Sequence, residues 1–522
     1  MERLDFSTSP VDEVIDPGFT DMCVRFLMLI RKITRAALVV AAALSVTPSF
    51  AETFDIPVHY DTLSNGLRVI IVPDSNVAVV SCRLYYFVGG MNEGPGTTGL
   101  SHMYEHMLFK GTKRLGTHDY QKEIPYLRAI DSLDPLLQRA RLRGGEQDSQ
   151  FLAYRSEIFA LLNEQRQYIK KDEIWELYRA HGGTALNAWT SNDMTGYIVT
   201  LPMNAVELFY WIESDRMQNP VLREFHSEQD VVLEERFMRH ENRPLNRYFE
   251  RLISLFYVAH PFGLPVIGWE SDIRAYTTEK VMNHVNRFYT PDNALLVLVG
   301  NINPQTAMDG IDKYFGGIPR AAIPRDEVVT REPAPIGMTR FTVREDIEPR
   351  VDVLFHTPGY PHDDLYALDI IEGVLSGRSG RLYKRLVDEE GLCMNAGASN
   401  SVRLHNGFFH VFATMKKDTD PARVEAIIRE EIERAISEIP SDFELARVAN
   451  SIRMSFAEGL KSLEGISDRL AWFERLGSWR DLFEYPQKIA DVRKETVPEI
   501  AAKYLKPELA TWGFVLRRDE NE

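Results

Sequence analysis

Gly99-Leu-Ser-His102-Met-Tyr-Glu105-His106-Met-Leu-Phe-Lys-Gly111 is the most informative stretch of this 522-residue chain. Leu100, Met103, Tyr104, Met107 and Leu108 recur at helical spacing, so Gly99–Phe109 reads as a helix that Gly111 can terminate. At about 100° per residue, His102 and His106 lie about 40° apart, and Glu105 lies about 60° to the far side of His102. All three therefore share one face, opposite the apolar one. A histidine that merely fills a core would sit on the apolar side. Two imidazoles one turn apart can bind one zinc ion, and the adjacent carboxylate can take a proton from a water that such an ion acidifies to a pKa of roughly 7.

A catalytic zinc takes three protein ligands and keeps a fourth position open. The best source of the third is the acidic stretch Glu228-Gln-Asp-Val-Val-Leu-Glu-Glu235. Glu228 and Glu235 are about two helical turns apart and share a face, whereas Glu234 is rotated by about 100°. By spacing alone, the stretch reads equally well as a charged helix facing solvent.

Working outward, Leu67–Val72 and Ala78–Val88 are rich in branched and aromatic residues and read as strands, with a turn at Asn65-Gly66. Ala294–Val299 reads as another strand and 306–315 as a helix. Pro319, Pro324, Pro333 and Pro335 mark 319–340 as a linker. Beyond it, Val351–His356 and Gly407–Met415 read as strands, and Leu365–Leu375 and Pro421–Ile439 as helices. The order of elements before the linker is repeated after it. The expected fold is therefore α+β, with two tandem homologous domains at 52–318 and 341–522. Residues of about 118–180, rich in Leu, Glu, Gln, Arg and Lys and broken at Gly144-Gly145, have no counterpart in the second half. They read as two helices forming an inserted hairpin, either a solvated appendage or an element that shapes access to the site or meets a partner.

Residues 1–51 stand apart. From Met28, basic Arg31, Lys32 and Arg35 precede an apolar stretch, Ala36–Val46, and the small-x-small sequence Ser49-Phe50-Ala51. This is the pattern of a secretory signal peptide cut after Ala51, implying an exported, periplasmic protein whose translation starts at Met28. As a membrane anchor the stretch is about half the ~20 residues needed to span a bilayer, and no later segment reaches that length. Cys82 and Cys393 lie far apart and read as buried thiols rather than a disulfide framework. The net charge of −16 argues against nucleic-acid binding.

Three ordered motifs carry a family resemblance: Gly99–Thr112; Gly182-Gly-Thr-Ala-Leu-Asn187-Ala-Trp-Thr-Ser-Asn-Asp-Met-Thr195; and Glu228–Glu235. With Tyr289–Gly300 and Gly377–Leu392 they resemble the M16 zinc peptidases, the pitrilysin and mitochondrial-processing-peptidase group with the inverted His-x-x-Glu-His motif, over most of the chain after the leader. The resemblance implies one zinc per chain held by His102, His106 and Glu235, with Glu105 as general base and Glu228 supporting the ligands. It also implies that Asn187 and Ala188 lie on an edge strand that pairs with the backbone of a peptide substrate.

Two departures follow. His106 and Glu235 are farther apart in sequence than in typical relatives, the excess falling in the insertion. The arginine and tyrosine that the C-terminal half of single-chain relatives offers to substrate correspond to Val387 and Met394, and the second half's helix places Leu368, Ile371 and Glu372 where the metal motif would be. The chain is thus similar to the metal-bearing subunit of two-subunit M16 enzymes, in which a homologous partner subunit supplies the Arg and Tyr. The alternatives are a non-catalytic assembly subunit, which would usually have lost part of the metal motif, and a peptide-binding chaperone with structural zinc, which would usually show four protein ligands.

Overall fold

The computed structural model describes residues 56–518, all within one compact unit, Asp55–Glu522. The leader read over residues 1–51 lies outside them. Two mixed sheets organise the chain. The first comprises β1 (His59–Thr62), β2 (Arg68–Pro73), β3 (Val79–Tyr86), β4 (Thr184–Thr190), β5 (Thr195–Pro202) and β6 (Ala294–Gly300). Their spatial order is β1-β2-β6-β3-β5-β4. The second comprises β7 (Thr339–Glu345), β8 (Arg350–Thr357), β9 (Cys393–Ser401), β10 (Gly407–Met415) and β11 (Thr511–Arg517), in the order β7-β11-β8-β10-β9.

The two sheets repeat one topology. β2 runs parallel to β6 and β7 parallel to β11, and in both halves every further pairing is antiparallel. Each strand of the second sheet has a counterpart in the first, which adds only β1. The segment 319–338 between them contains no helix or strand.

Neither sheet leaves a face bare. Val69, Ile71, Cys82, Leu84 and Tyr86 pack against Met103, Tyr104 and Met107 of the motif helix, Leu100–Met107, and against helices Val206–Gln218 and Thr278–Phe288. The opposite side chains, Ile70, Val72, Tyr85, Val297 and Val299, pack against Leu470 and Ala471 of helix Leu463–Leu476, which comes from the second half. In return, Tyr248, Leu252 and Phe256 of helix Pro244–Phe256 cover Leu354 and Val515 on the second sheet. Each half thus lends a helix to the other. Burial on both faces explains why β6 is a continuous apolar run rather than an alternating one.

The insertion contains three helices, Tyr120–Gly144, Ser149–Gln165 and Glu173–Ala180, rather than the two expected. Gly145, at φ 75°, breaks the first from the second. The first two make a core of their own from Ile130, Leu133, Leu137, Phe151, Ile158 and Leu162. Cys82 and Cys393 are both buried and unbridged. No described helix is long and apolar enough to cross a membrane.

Candidate active site

The motif helix starts where the backbone must turn sharply. Gly99 takes φ 88°, and a Cβ there would lie 2.5 Å from the Ile267 carbonyl oxygen, so only glycine fits. Glu93 closes the helix N-terminus by accepting from the Gly99 and Ser101 amides at 2.5 and 2.7 Å. Burial nevertheless pushes its carboxyl up to about 7. Ser101 Oγ is tied to His284 Nε2 at 2.9 Å, which fixes the same turn against helix Thr278–Phe288.

From this helix His102 and His106 meet Glu235 on helix Phe225–Arg236. Glu235 Oε2 is 3.1 Å from His106 Nε2 and 3.7 Å from His102 Nε2. One donor atom from each residue lies within 4.8 Å of the others, and among the described residues this is the one such group of histidine, cysteine and carboxylate side chains. Glu235 Oε2 is buried without an aligned hydrogen bond, although two imidazole nitrogens face it. Three such donors converging on one point could hold a cation, and an N,N,O set fits zinc.

The electrostatics suit that set. Burial, with His106 beside it, brings His102 down to about 4, so its imidazole is neutral at physiological pH. Burial also opposes charge on His106, but Glu228 and Glu235 outweigh it and hold its pKa up at about 9. As a metal ligand His106 would have to give up a proton. Glu228 accepts at Oε1 from His106 Nδ1 at 2.9 Å and meets Lys110 Nζ at Oε2 at 2.5 Å. It orients the ring so that Nε2 points at Glu235. Arg239 holds the outer oxygen of Glu235 at 2.9 Å.

Glu105 lies beside the triad. Burial raises its pKa, opposed by a 2.6 Å hydrogen bond from Thr190 Oγ1 to its Oε2. Thr190 ends β4, which pairs with β5 on one side and has no strand on the other. Asn187 is exposed on this edge strand, and Ala188 packs toward the motif helix. A bulge between Thr184 and Asn187, with Ala185 at φ 51°, bends the strand just before them.

Thr190, Lys110, Arg239 and Glu93 escaped the sequence reading. Strand alternation puts Thr190 on the same face as Ala188, and four-residue helical spacing links Lys110 to His106 and Arg239 to Glu235. Those periods were signals. Glu93 had none, because it caps the helix through a loop.

Among the described residues, the second half has no counterpart of this centre. Leu368 and Ile371 are fully buried in its core. Glu372 accepts from the Asn400 amide at 2.8 Å, and Ser376 Oγ bonds both the amide and the carbonyl of Ala398, so helix side chains occupy the outer edge of β9. Val387 packs against the core and Met394 is exposed. Glu372 and Asp369 border a cavity of about 1010 Å³ walled partly by Tyr85, Trp189 and Phe473. Burial, then Asp369, raises the Glu372 carboxyl to about 7. A raised carboxyl stabilises the fold at pH below its ordinary value and loses that contribution as pH climbs through about 7. Glu372→Gln should therefore lose less stability than the parent chain between pH 5 and 8, by about 2 kcal/mol in urea titrations. An identical loss in both proteins would show that Glu372 ionises freely.

The chain is similar in sequence and fold to known proteins. The family model described as Insulinase (Peptidase family M16) matches residues 68–127, and that described as Peptidase M16 inactive domain matches 275–452. Zinc protease PqqE of Helicobacter pylori is 24% identical over 471 residues, covering 88% of this chain and 93% of that protein. An uncharacterized zinc protease of Mycobacterium tuberculosis is 24% identical over 455 residues, covering 85% and 90%. Among solved structures, a protease from Helicobacter pylori superposes with a TM-score of 0.74 at 24% identity, over 88% of this chain and all (100%) of that one. The periplasmic protease PqqL from Escherichia coli gives 0.67 at 16% identity, over 89% of this chain and 48% of that one. Two models of the M16 peptidase family match in order along the chain, proteins named as zinc proteases align with most of it, and its fold is that of M16-like peptidases.

Proposed function

We propose that this chain is an exported, periplasmic zinc metalloendopeptidase that hydrolyses peptides or unfolded polypeptides, acting as the catalytic subunit of a heterodimer with a homologous chain. The observation that carries the reading is the convergence of His102, His106 and Glu235 beside Glu105, at the end of an open strand edge. When bound, zinc supplies Lewis acidity, polarising a peptide carbonyl and lowering the pKa of water to roughly 7.

This chain's own residues do the rest. The free edge of β4 around Asn187 and Ala188 pairs with an extended substrate backbone, a mode tolerant of side-chain sequence. Glu105 takes the proton from the attacking water and returns it to the leaving amine; its burial-raised pKa brings it nearer the pH at which a base works well. Thr190 links the two tasks, since the strand that receives the peptide also holds the base. Thr190→Val should lower kcat/KM about tenfold, the worth of one hydrogen bond to a charged group, with Thr190→Ser close to the parent. Equal rates in all three would remove Thr190 from that role.

The heterodimer rests on Val387 and Met394, neither of which donates a side-chain hydrogen bond to a developing oxyanion. The exported location rests on the basic, apolar and small-residue pattern of 31–51. The deciding experiment is hydrolysis of a quenched fluorescent peptide by the full chain, with and without a chelator, and with and without a homologue that lacks His-x-x-Glu-His but carries the Arg and Tyr. Chelation should abolish turnover and the homologue should raise it greatly. Chelator-resistant turnover would refute the metal mechanism, and equal turnover without the homologue would refute the heterodimer.

A further inference from the structure

The insertion packs against the helix that carries Glu228 and Glu235, on the side away from the histidines. Two buried polar contacts anchor it. Arg223 Nε donates to Glu123 Oε2 at 2.7 Å, with neither side chain exposed to solvent. His226 Nε2 lies 2.7 Å from Asp134 Oδ1 without an aligned hydrogen bond, while Asp134 Oδ2 accepts from the Thr278 amide at 3.0 Å. Farther along, Phe159 and Ile158 of the hairpin lie beside Gln229 and Leu233.

Arg223 also reaches the other ligand-bearing element. Its guanidinium donates to the carbonyls of Thr112, Leu115 and Lys110 at 2.5, 3.2 and 3.3 Å. Lys110 follows the motif helix directly and holds Glu228, which in turn holds His106. One buried guanidinium thus joins the segment after His106, the segment before Glu228 and the first turn of the insertion.

We propose that the insertion is a clamp on the metal centre, with Glu123 and Asp134 as positioning residues that hold helix Phe225–Arg236 at the spacing His102, His106 and Glu235 require. This rests on the reading of those three as metal ligands. Removing a group hydrogen-bonded directly to a metal ligand typically costs 10–100-fold in metal affinity, and a residue that positions the ligand's helix would act on the same quantity.

The test compares the full chain with Asp134→Asn and, because that variant could lose its fold, with Phe159→Ala, which trims a half-buried seam residue. Zinc affinity is measured by competition with a chromogenic chelator, and site geometry by the visible absorption of the cobalt(II)-loaded protein. Folding is followed by circular dichroism. The clamp predicts at least about tenfold weaker zinc binding and altered cobalt bands in a variant that remains folded. Unchanged zinc affinity and cobalt bands in the folded variants, with only thermal stability lowered, would overturn it. Failure of the parent chain to bind zinc at all would instead refute the ligand assignment beneath it.

Discussion

Glu105→Gln is expected to keep its zinc and lose its activity, with kcat reduced by roughly 10³-fold. Glutamine has nearly the same volume and keeps a carbonyl oxygen that can accept the 2.6 Å hydrogen bond from Thr190, so the local packing should persist. Glutamine cannot take a proton. His102, His106 and Glu235 are untouched, and zinc content measured by atomic absorption should match the parent. Peptide hydrolysis should fall at every pH, because a missing base is not restored by raising pH across the range in which the fold is stable. A variant retaining full turnover would remove Glu105 from proton transfer. One that loses zinc along with activity would make it a ligand instead.

Arg223→Met should cost about 3–5 kcal/mol of folding stability, the penalty for breaking a fully buried ion pair from one side. The methionine leaves the Glu123 carboxylate buried without its cation and takes the donor from the carbonyls of Thr112, Leu115 and Lys110. Burial also works against the charge on Arg223, whose guanidinium pKa is lowered, so the intact pair is itself no large source of stability. Replacing both partners, Glu123→Leu with Arg223→Met, should therefore recover much of the loss, since two apolar side chains need no counterion. Urea midpoints of the single and double variants decide this. Equal destabilisation in both would mean that the backbone carbonyls, rather than the carboxylate, are what Arg223 satisfies.

The two variants probe parts of the protein that differed in how legible they were. The motif helix could be read residue by residue, because an eight-residue helix with its apolar face in a core announces itself through a 3.6-residue period. Glu235 was a candidate by spacing and a ligand only by resemblance. What joined it to His106 is a tertiary contact at 3.1 Å across 128 intervening positions, and no local period spans such a gap. The insertion was legible as helices but not as a clamp. Glu123, Asp134, Arg223 and His226 look in sequence like any charged residues on amphipathic segments, and their burial follows only from what folds on top of them. Thr190 was the nearest miss, since alternation in β4 already placed it beside Ala188.

By itself the sequence determined the local elements, the tandem α+β repeat and the chemical types gathered in the metal motif, because periodicity, turn residues and donor chemistry are properties of short stretches. Only the tertiary structure decided three things. It exchanged helices Pro244–Phe256 and Leu463–Leu476 between the halves, since each sheet's second apolar face had to be covered by something and neither half could cover both of its own. It closed the outer edge of β9 with Ser376 and Glu372 while leaving that of β4 open, which separates the two copies of one topology by the hydrogen bonds of their edge strands. And it set the insertion against the ligand helix through the buried Glu123–Arg223 pair and the Asp134–His226 contact, where leaving a buried charge such as Arg223 or Glu123 unpaired is costly.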